Sequence, residues 1–443
     1  MIVMKFGGTS VGSGQRIRAV HDICAAGIEE RPVVVVSAVK GVTDLLLRAA
    51  EEAALCGKDP RAHFQQIAQI HAGICDDLQV PSSEIKNLLD ECQSLLQGLH
   101  LLRELTLRTR DAVASYGERL SARITASYFR LRGLSAKAYD AWDVGMLTSS
   151  EFTQAKPLVE AEARMKQAFS MLPESEIPVV TGFIGKDQHG QVTTLGRGGS
   201  DYSAALIGAA LRVKEIQIWT DVSGIMTGDP RVVPHARILP AVSFDEAAEL
   251  AYFGAKVLHP RTIEPAITTG IPVLVKNSFF PEDPGTTILP GTEVKEGAVK
   301  AITSKKGITC LNLRSTRMLE APGFLHSVFS VFHSHGLSID VISTSEVSVS
   351  LTLDNAENLE EAMKELGDIA QVSVEQGRSI ICLVGEGIKT TLGVAGRIFT
   401  VLGKEEINVE MISQGASRIN ITFVVSDHDA DRAVRCLHDE FFS

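Results

Sequence analysis

Short runs rich in β-branched residues (2–6, 32–37, 135–140, 177–183, 215–220 and 271–276) alternate with longer amphipathic stretches such as 85–107 and 110–132. Parallel neighbours need a crossover of a dozen or more residues, and helical stretches of this length supply one. The alternation therefore predicts an α/β unit over 1–280, a mainly parallel sheet between helix layers, with ligands at the carboxyl ends of its strands. The stretch from Phe280-Pro281 to Pro290-Gly291 breaks the pattern and reads as a linker over 281–297. Beyond it the elements shorten into two rounds of strand-helix-strand-strand-helix, offset by roughly 70 residues. Two small α+β units are expected, 298–376 and 377–443, and the pattern admits an exchange of the strand around 298–306 between them.

The chain has 443 residues, 44% of them hydrophobic and 22% charged, enough apolar material for two or three cores. Its net charge of −11 argues against nucleic-acid or anionic-membrane partners, which reward clustered Lys and Arg. Any anionic ligand must be held by local chemistry. The seven cysteines show no Cys-x-x-Cys spacing, so neither a disulfide framework nor a protein-built metal site is expected. They read as buried apolar residues in a reducing compartment. With no signal-peptide core and no apolar run long enough to span a bilayer, a cytoplasmic location is expected.

Two glycine-rich loops follow strands. Lys5-Phe6-Gly7-Gly8-Thr9-Ser10 leads from the opening strand into a helical pattern, and Thr194-Leu195-Gly196-Arg197-Gly198-Gly199-Ser200-Asp201 opens another helix. Glycines let the backbone approach a ligand, and free N–H groups at a helix start favour phosphate oxygens. Alone, each loop also fits an ordinary strand-to-helix turn, and Ser200 and Asp201 fit plain N-caps. Neither the Gly-x4-Gly-Lys nor the Gly-x-Gly-x-x-Gly nucleotide loop is present. A third polar loop, Thr220-Asp221-Val222-Ser223-Gly224-Ile225-Met226-Thr227-Gly228-Asp229-Pro230-Arg231, suits a ribose and base, and Phe253-Gly254-Ala255-Lys256 supplies a second lysine. Both also fit a plain loop and a surface lysine.

Taken together with Tyr116-Gly117-Glu118-Arg119 and Gly182-Phe183-Ile184-Gly185, these segments resemble, in family order, the motif set of the aspartokinases. The segment Ser338-Ile339-Asp340-Val341-Ile342-Ser343-Thr344-Ser345-Glu346 resembles the paired ACT domains of lysine-inhibited members. The resemblance implies the amino-acid-kinase fold followed by two ACT-like βαββαβ domains. It also implies transfer of the ATP γ-phosphoryl to the β-carboxylate of aspartate, the first step toward lysine, threonine and methionine. A carboxylate with a pKa near 4 is ionised at pH 7 and needs no general base, in keeping with cations and donors rather than a His–Asp pair in the motifs.

By the same resemblance, Lys5 and Lys256 meet the phosphates, Asp201 orients them, and the Gly7, Gly8, Gly198 and Gly199 amides donate to phosphoryl oxygens. Ser10, Thr220, Asp221, Met226, Asp229 and Arg231 complete the nucleotide set, and Mg²⁺ is held mainly by the phosphates. Arg197 grips the aspartate carboxylate and Glu118 its ammonium, with Ser37, Thr43, Phe183 and Ser200 around them. Met318, Phe324, Leu325, Ser338, Ile339, Asp340, Thr344, Ser345 and Glu346 match the lysine-sensing pattern, with Asp340 on the ligand's ammonium. A homodimer or dimer of dimers is implied, and the second repeat running to Ser443 leads to the expectation of a single-activity kinase. Two positions depart from the family pattern: Met226, where many relatives carry tyrosine, and Gly145, where an arginine often follows Asp143-Val144.

Overall fold

The computed structural model describes residues 1–254, 262–291, 299–318, 323–354, 356–415 and 419–442. They form two compact units. The first comprises Met1–Ile225, Pro240–Phe244 and the described part of Val257–Thr292; the second gathers Met226–Leu239 with the described parts of Asp245–Lys256 and Glu293–Ser443.

In chain order the elements up to residue 291 are β1 (Ile2–Phe6), α1 (Gly14–Ala26), β2 (Pro32–Val36), α2 (Val42–Leu55), α3 (Arg61–Leu78), α4 (Ser83–Leu102), α5 (Leu107–Ala114), α6 (Tyr116–Leu131), β3 (Ala136–Tyr139), α7 (Glu160–Ser170), β4 (Ile177–Thr181), β5 (Ile184–Lys186), β6 (Val192–Thr194), α8 (Gly199–Leu211), β7 (Ile216–Thr220), β8 (Ala241–Ser243), α9 (Phe244–Tyr252), α10 (Glu264–Thr269), β9 (Val273–Asn277) and β10 (Thr286–Leu289). The first unit's sheet is eight-stranded, in the order β3-β4-β2-β1-β7-β9-β10-β8. From β3 to β9 every pairing is parallel. β1, β2 and β4 are buried at every residue, because helices cover both faces, which is why they read as continuous apolar runs. Helix α4 buries Ile85, Leu88, Cys92, Leu96 and Leu99, one stripe at helical spacing. The parallel register brings the ends of β1, β2, β4 and β7 to one edge of the sheet, so the loops after Phe6, Val36, Thr181 and Thr220 emerge together.

Three sequence expectations shift. The 85–107 stretch stops at Leu102, where Arg103 turns to φ +58. The 110–132 stretch is two helices, α5 and α6, parted at Ser115, whose hydroxyl donates to the Ala112 carbonyl at 2.7 Å. The stretch read as a linker contributes β10, antiparallel to β9 and parallel to β8, because Gly285 (φ +77) turns the chain back onto the sheet.

The second unit contains β11 (Ala301–Arg314), α11 (Phe324–Ser334), β12 (Ile339–Thr344), β13 (Ser348–Leu353), α12 (Leu359–Ile369), β14 (Gln371–Val384), α13 (Val394–Lys404), β15 (Met411–Ser413), β16 (Asn420–Ser426) and α14 (Ala430–Phe442). Its six-stranded sheet, β12-β13-β11-β14-β16-β15, is antiparallel throughout. The runs at 370–374 and 379–384, which the sequence suggests as separate strands, fuse into β14. Its first half pairs with Ile308–Arg314 and its second half with Ala301–Lys305. Residues 301–305 thus belong to the ladder of the second repeat although they precede the first. Accordingly, Ile302 packs with Ile381, Ile398, Phe423 and Leu437, while Leu311 joins a separate core with Val328, Phe332, Leu351 and Leu366.

All seven cysteines are free thiols; Cys24, Cys75, Cys92 and Cys382 are buried as expected, whereas Cys56 is exposed. No described helix is long and apolar enough to cross a membrane.

Candidate active site

Lys5 is the penultimate residue of β1, at the centre of the sheet, and Asp201 lies in the first turn of α8. Their side chains meet at 2.6 Å (Nζ to Oδ1), only 10% and 14% exposed. A charge so nearly removed from water needs a partner, and Asp201 supplies it. The pair borders a cavity of about 770 Å³ whose lining also includes Gly8, Ser37, Lys40, Thr43, Asp44, Arg110, Asp111, Glu118, Phe183, Arg197, Gly198, Gly199 and Ser200.

Close contact between loops creates this cavity. The Lys40 amide donates to the Gly8 carbonyl at 3.1 Å, and a Cβ on Gly8 would lie 2.7 Å from the Ala38 carbonyl oxygen. At the start of α6, a Cβ on Gly117 would lie 2.7 Å from the Ala38 Cβ. That absence of a side chain lets the next residue reach under the β2 loop, where Glu118 Oε1 accepts the Ala38 N–H at 3.1 Å. Glu118 is 3% exposed and its Oε2 has no partner among the described residues. Burial pushes its carboxyl up to about 8 against the pull of the Ala38 hydrogen bond. Such a group, already desolvated and short of a donor, suits an incoming ammonium.

Asp111, which no motif flagged, fixes the far wall. It accepts from the amides of Thr153 (2.8 Å) and Thr194 (2.9 Å) and from the Thr194 hydroxyl (2.8 Å), tying α5 to the β6 edge. Lys40, Arg110 and Asp44 line the cavity too, and a charged residue in a helical stretch carries no signal of its own. Arg197 is exposed and has no ion-pair partner among the described residues. Behind it, Gly198 caps α8 at φ +71, and the Ser200 and Asp201 amides have no acceptor among the described bonds, leaving a positive helix end at the cavity. Phe183, at φ +68, is held by its N–H on Ser203 Oγ at 3.0 Å. Ser37 and Thr43 stand half-buried on the lining.

Several expected contacts take other forms. Ser10 is fully buried and bridges to the Ser278 hydroxyl at 2.7 Å, so it braces the loop instead of facing a nucleotide. The Gly7 amide is committed to the Trp219 carbonyl at 3.1 Å and the Gly199 amide to Gly196 at 3.0 Å, which leaves Gly8 and Gly198 as the cavity-lining donors of those pairs. Thr220, which ends β7, and Asp221 after it lie at the same sheet edge but do not line the cavity. Met226, Asp229 and Arg231 belong to the second unit, where Asp229 accepts from the Arg231 guanidinium at 2.7 Å and its carboxyl is held below the usual range by that contact. Lys256 lies outside the described residues. Gly145 stands at φ +92, and a Cβ there would lie 2.6 Å from the Arg164 backbone, so α7 leaves no room for a side chain at that position.

The carboxylates of the cavity are largely committed, Asp201 to Lys5 and Asp111 to Thr153 and Thr194, and among the described residues no three of its His, Cys, Asp or Glu groups converge. This donor set fits a Mg²⁺ carried by nucleotide phosphates, not one caged by protein.

Residues 1–277 match the amino acid kinase family model and 381–441 an ACT domain model. Sheet, loops and family model together define an amino acid kinase unit. Aspartokinase 1, chloroplastic, of Arabidopsis thaliana is 43% identical over 99% of this chain and 80% of its own length. Lysine-sensitive aspartokinase 3 of Escherichia coli is 38% identical over 100% of this chain and 99% of its own. Crystal structures of E. coli aspartokinase III, one with aspartate and ADP (R-state) and one with lysine and aspartate (T-state), match with TM-scores of 0.83 and 0.84 at 37% identity, covering 100% of both chains. The chain belongs to the aspartokinases, and it is an ATP-dependent kinase.

Two outcomes follow from this geometry. Gly8→Ala forces the β1 and β2 loops apart and is expected to cut kcat/KM at least about a hundredfold. Gly7→Ala, whose Cβ meets nothing nearer than 3.6 Å, serves as the mild control. The raised Glu118 carboxyl binds its proton more tightly folded than unfolded, so its contribution is intact below its ordinary 4.5 and is lost as pH rises toward about 8. Thermal melts are therefore expected to show Glu118→Gln gaining on the parent protein between pH 5 and pH 8, with the gap constant at higher pH. A gap independent of pH would contradict the assignment.

Proposed function

We propose that this chain transfers the γ-phosphoryl of ATP to the β-carboxylate of L-aspartate, giving ADP and 4-phospho-L-aspartate at the head of lysine, threonine and methionine synthesis, and that lysine inhibits it. The observation that carries this reading is a buried carboxyl group, Glu118, whose Oε2 has no partner among the described residues, lining the same cavity as the Lys5–Asp201 pair. A zwitterionic amino acid needs an acid for its ammonium and a cation for its α-carboxylate, and Glu118 and Arg197 are those two groups. The side-chain carboxylate is then directed at the phosphate end of the cavity.

The nucleophile is already ionised, so positioning and charge neutralisation are the tasks. Lys5, held by Asp201, the Gly8 and Gly198 amides and the start of α8 draw charge from the transferred phosphoryl. Lys256 has the same role by its place in the family motif. Mg²⁺, arriving with ATP, neutralises phosphate charge. As the substrate ammonium docks, Glu118 gives up its proton, so the KM for aspartate falls as pH rises toward 8.

The lysine reading draws support from Asp340. Its carboxylate, on β12, accepts the Tyr252 hydroxyl at 2.6 Å and lies 3.3 Å from Lys305 Nζ, which also contacts Asp354. Burial raises the Asp340 carboxyl and these donors pull it back. An ammonium already rests there, so an external one meets suitable chemistry and competes with Lys305. Leu325, Ser338, Thr344, Ser345 and Glu346 are exposed, and Met318, Phe324 and Ile339 partly so, which leaves them available to the same ligand.

Trapping the acyl phosphate with hydroxylamine tests the reaction: aspartate is expected to yield hydroxamate, and glutamate or acetylglutamate not. Activity with glutamate alone would refute the substrate. Lysine is expected to inhibit. Lys305→Ala removes the internal competitor and should lower the inhibitory lysine concentration about tenfold, while Asp340→Asn raises it by a similar factor.

A further inference from the structure

In the second unit, away from the residues assigned to catalysis or lysine, three side chains with metal-ligating atoms converge: His235, His438 and Asp439, whose ligand atoms all lie within 4.8 Å of one another. His235 Nε2 is 3.2 Å from Asp439 Oδ1, and the two histidine rings meet edge to face with centroids 5.0 Å apart.

His438 makes this more than a surface cluster. It is 1% exposed, in the last turns of α14, with the Phe442 ring 4.6 Å away. Its Nε2 is 2.9 Å from Thr227 Oγ1, which also accepts the Arg237 amide at 3.0 Å. Its Nδ1 is buried and has no hydrogen-bond partner among the described residues. Whichever ring nitrogen carries the proton, Nδ1 lacks either an acceptor or a donor, an omission that costs free energy unless a ligand fills it. A ring held by a hydrogen bond on one nitrogen and bare on the other is the arrangement of a metal-ligating histidine, with Thr227 as its orienting partner.

We propose that His235, His438 and Asp439 form a binding site for a divalent transition-metal ion of the zinc class. Two imidazoles and one carboxylate match the ligand preferences of Zn²⁺, whereas Mg²⁺ and Ca²⁺ prefer oxygen. The Arg237 guanidinium, donating nearby to the Phe442 carbonyl at 3.2 Å, further disfavours an ion held by charge alone. Tetrahedral ligation sets neighbouring ligand atoms about 3.3 Å apart. Closing from 4.8 Å falls to His235 and Asp439, each 60% exposed and free to change rotamer. The fourth position is left to water. The consequence is mechanical: the ion joins α14 to Met226–Leu239, the segment that begins with Met226, Asp229 and Arg231, and stiffens it. The proposal does not depend on the aspartate or lysine readings.

Untagged full-length protein, stripped with a chelator and dialysed, is titrated with Zn²⁺ alone by calorimetry and with Co²⁺ by visible absorbance. One ion per chain is expected, with a dissociation constant below about 1 μM, a four-coordinate Co²⁺ band and a raised Tm. His235→Ala and Asp439→Asn alter exposed side chains and keep the fold; each is expected to weaken binding at least about tenfold and to abolish the Co²⁺ band. No binding by the parent protein, binding weaker than about 100 μM, or undiminished affinity in the double variant would each overturn the site.

Discussion

A lysine ammonium and an aspartate carboxylate meeting at the carboxyl edge of a parallel sheet is the contact around which this molecule is arranged. Lys5 reaches that edge because β1 is central and buried on both faces, and Asp201 reaches it because α8 begins where the β6 segment returns to the same side. Removing either partner would strand a charge in a poorly hydrated place, which costs several kcal/mol in buried pairs. The glycine-bearing loops matter for the same reason. Gly8 and Gly117 bring two chain segments up to the loop at Ala38, and that convergence encloses the space beside the ion pair.

Glu118 shows how the site holds unfavourable energy ready for a ligand. A buried carboxyl with one hydrogen bond and one bare oxygen is a poor element of a resting fold, and the folded protein tolerates it by keeping the proton. In the proposed reading, the substrate ammonium replaces that proton with a better partner. The affinity of the site and the stability of the empty protein therefore pull against each other at this residue.

In the second unit, polar pairing at Asp340 and the continuous β11–β14 ladder rest on one strand. Lys305 ends the segment that pairs with the second repeat, and Asp340 is the second residue of β12 in the first, so the Lys305–Asp340 pair links the two repeats through side chains where the ladder links them through backbone.

Much of this was legible in the chain itself. The strand and helix alternation, the parallel sheet, the doubled α+β repeat and the loops bearing Lys5, Arg197 and Asp201 follow from periodicity and glycine placement, which are local properties. The fusion of β14, the return of 301–305 to the second repeat and the recruitment of β10 from a Pro/Gly-rich stretch did not, because a strand's partner is set by which edges remain unpaired after folding. Ser10 and Gly7 looked like ligand contacts, yet their polar atoms were taken by Ser278 and Trp219, residues more than two hundred positions away. Asp111, Glu118's bare oxygen and the buried face of His438 are likewise tertiary facts. A sequence states which groups a residue can offer; only the packed structure decides which of those groups have been used up, because burial removes the water that would otherwise satisfy them all.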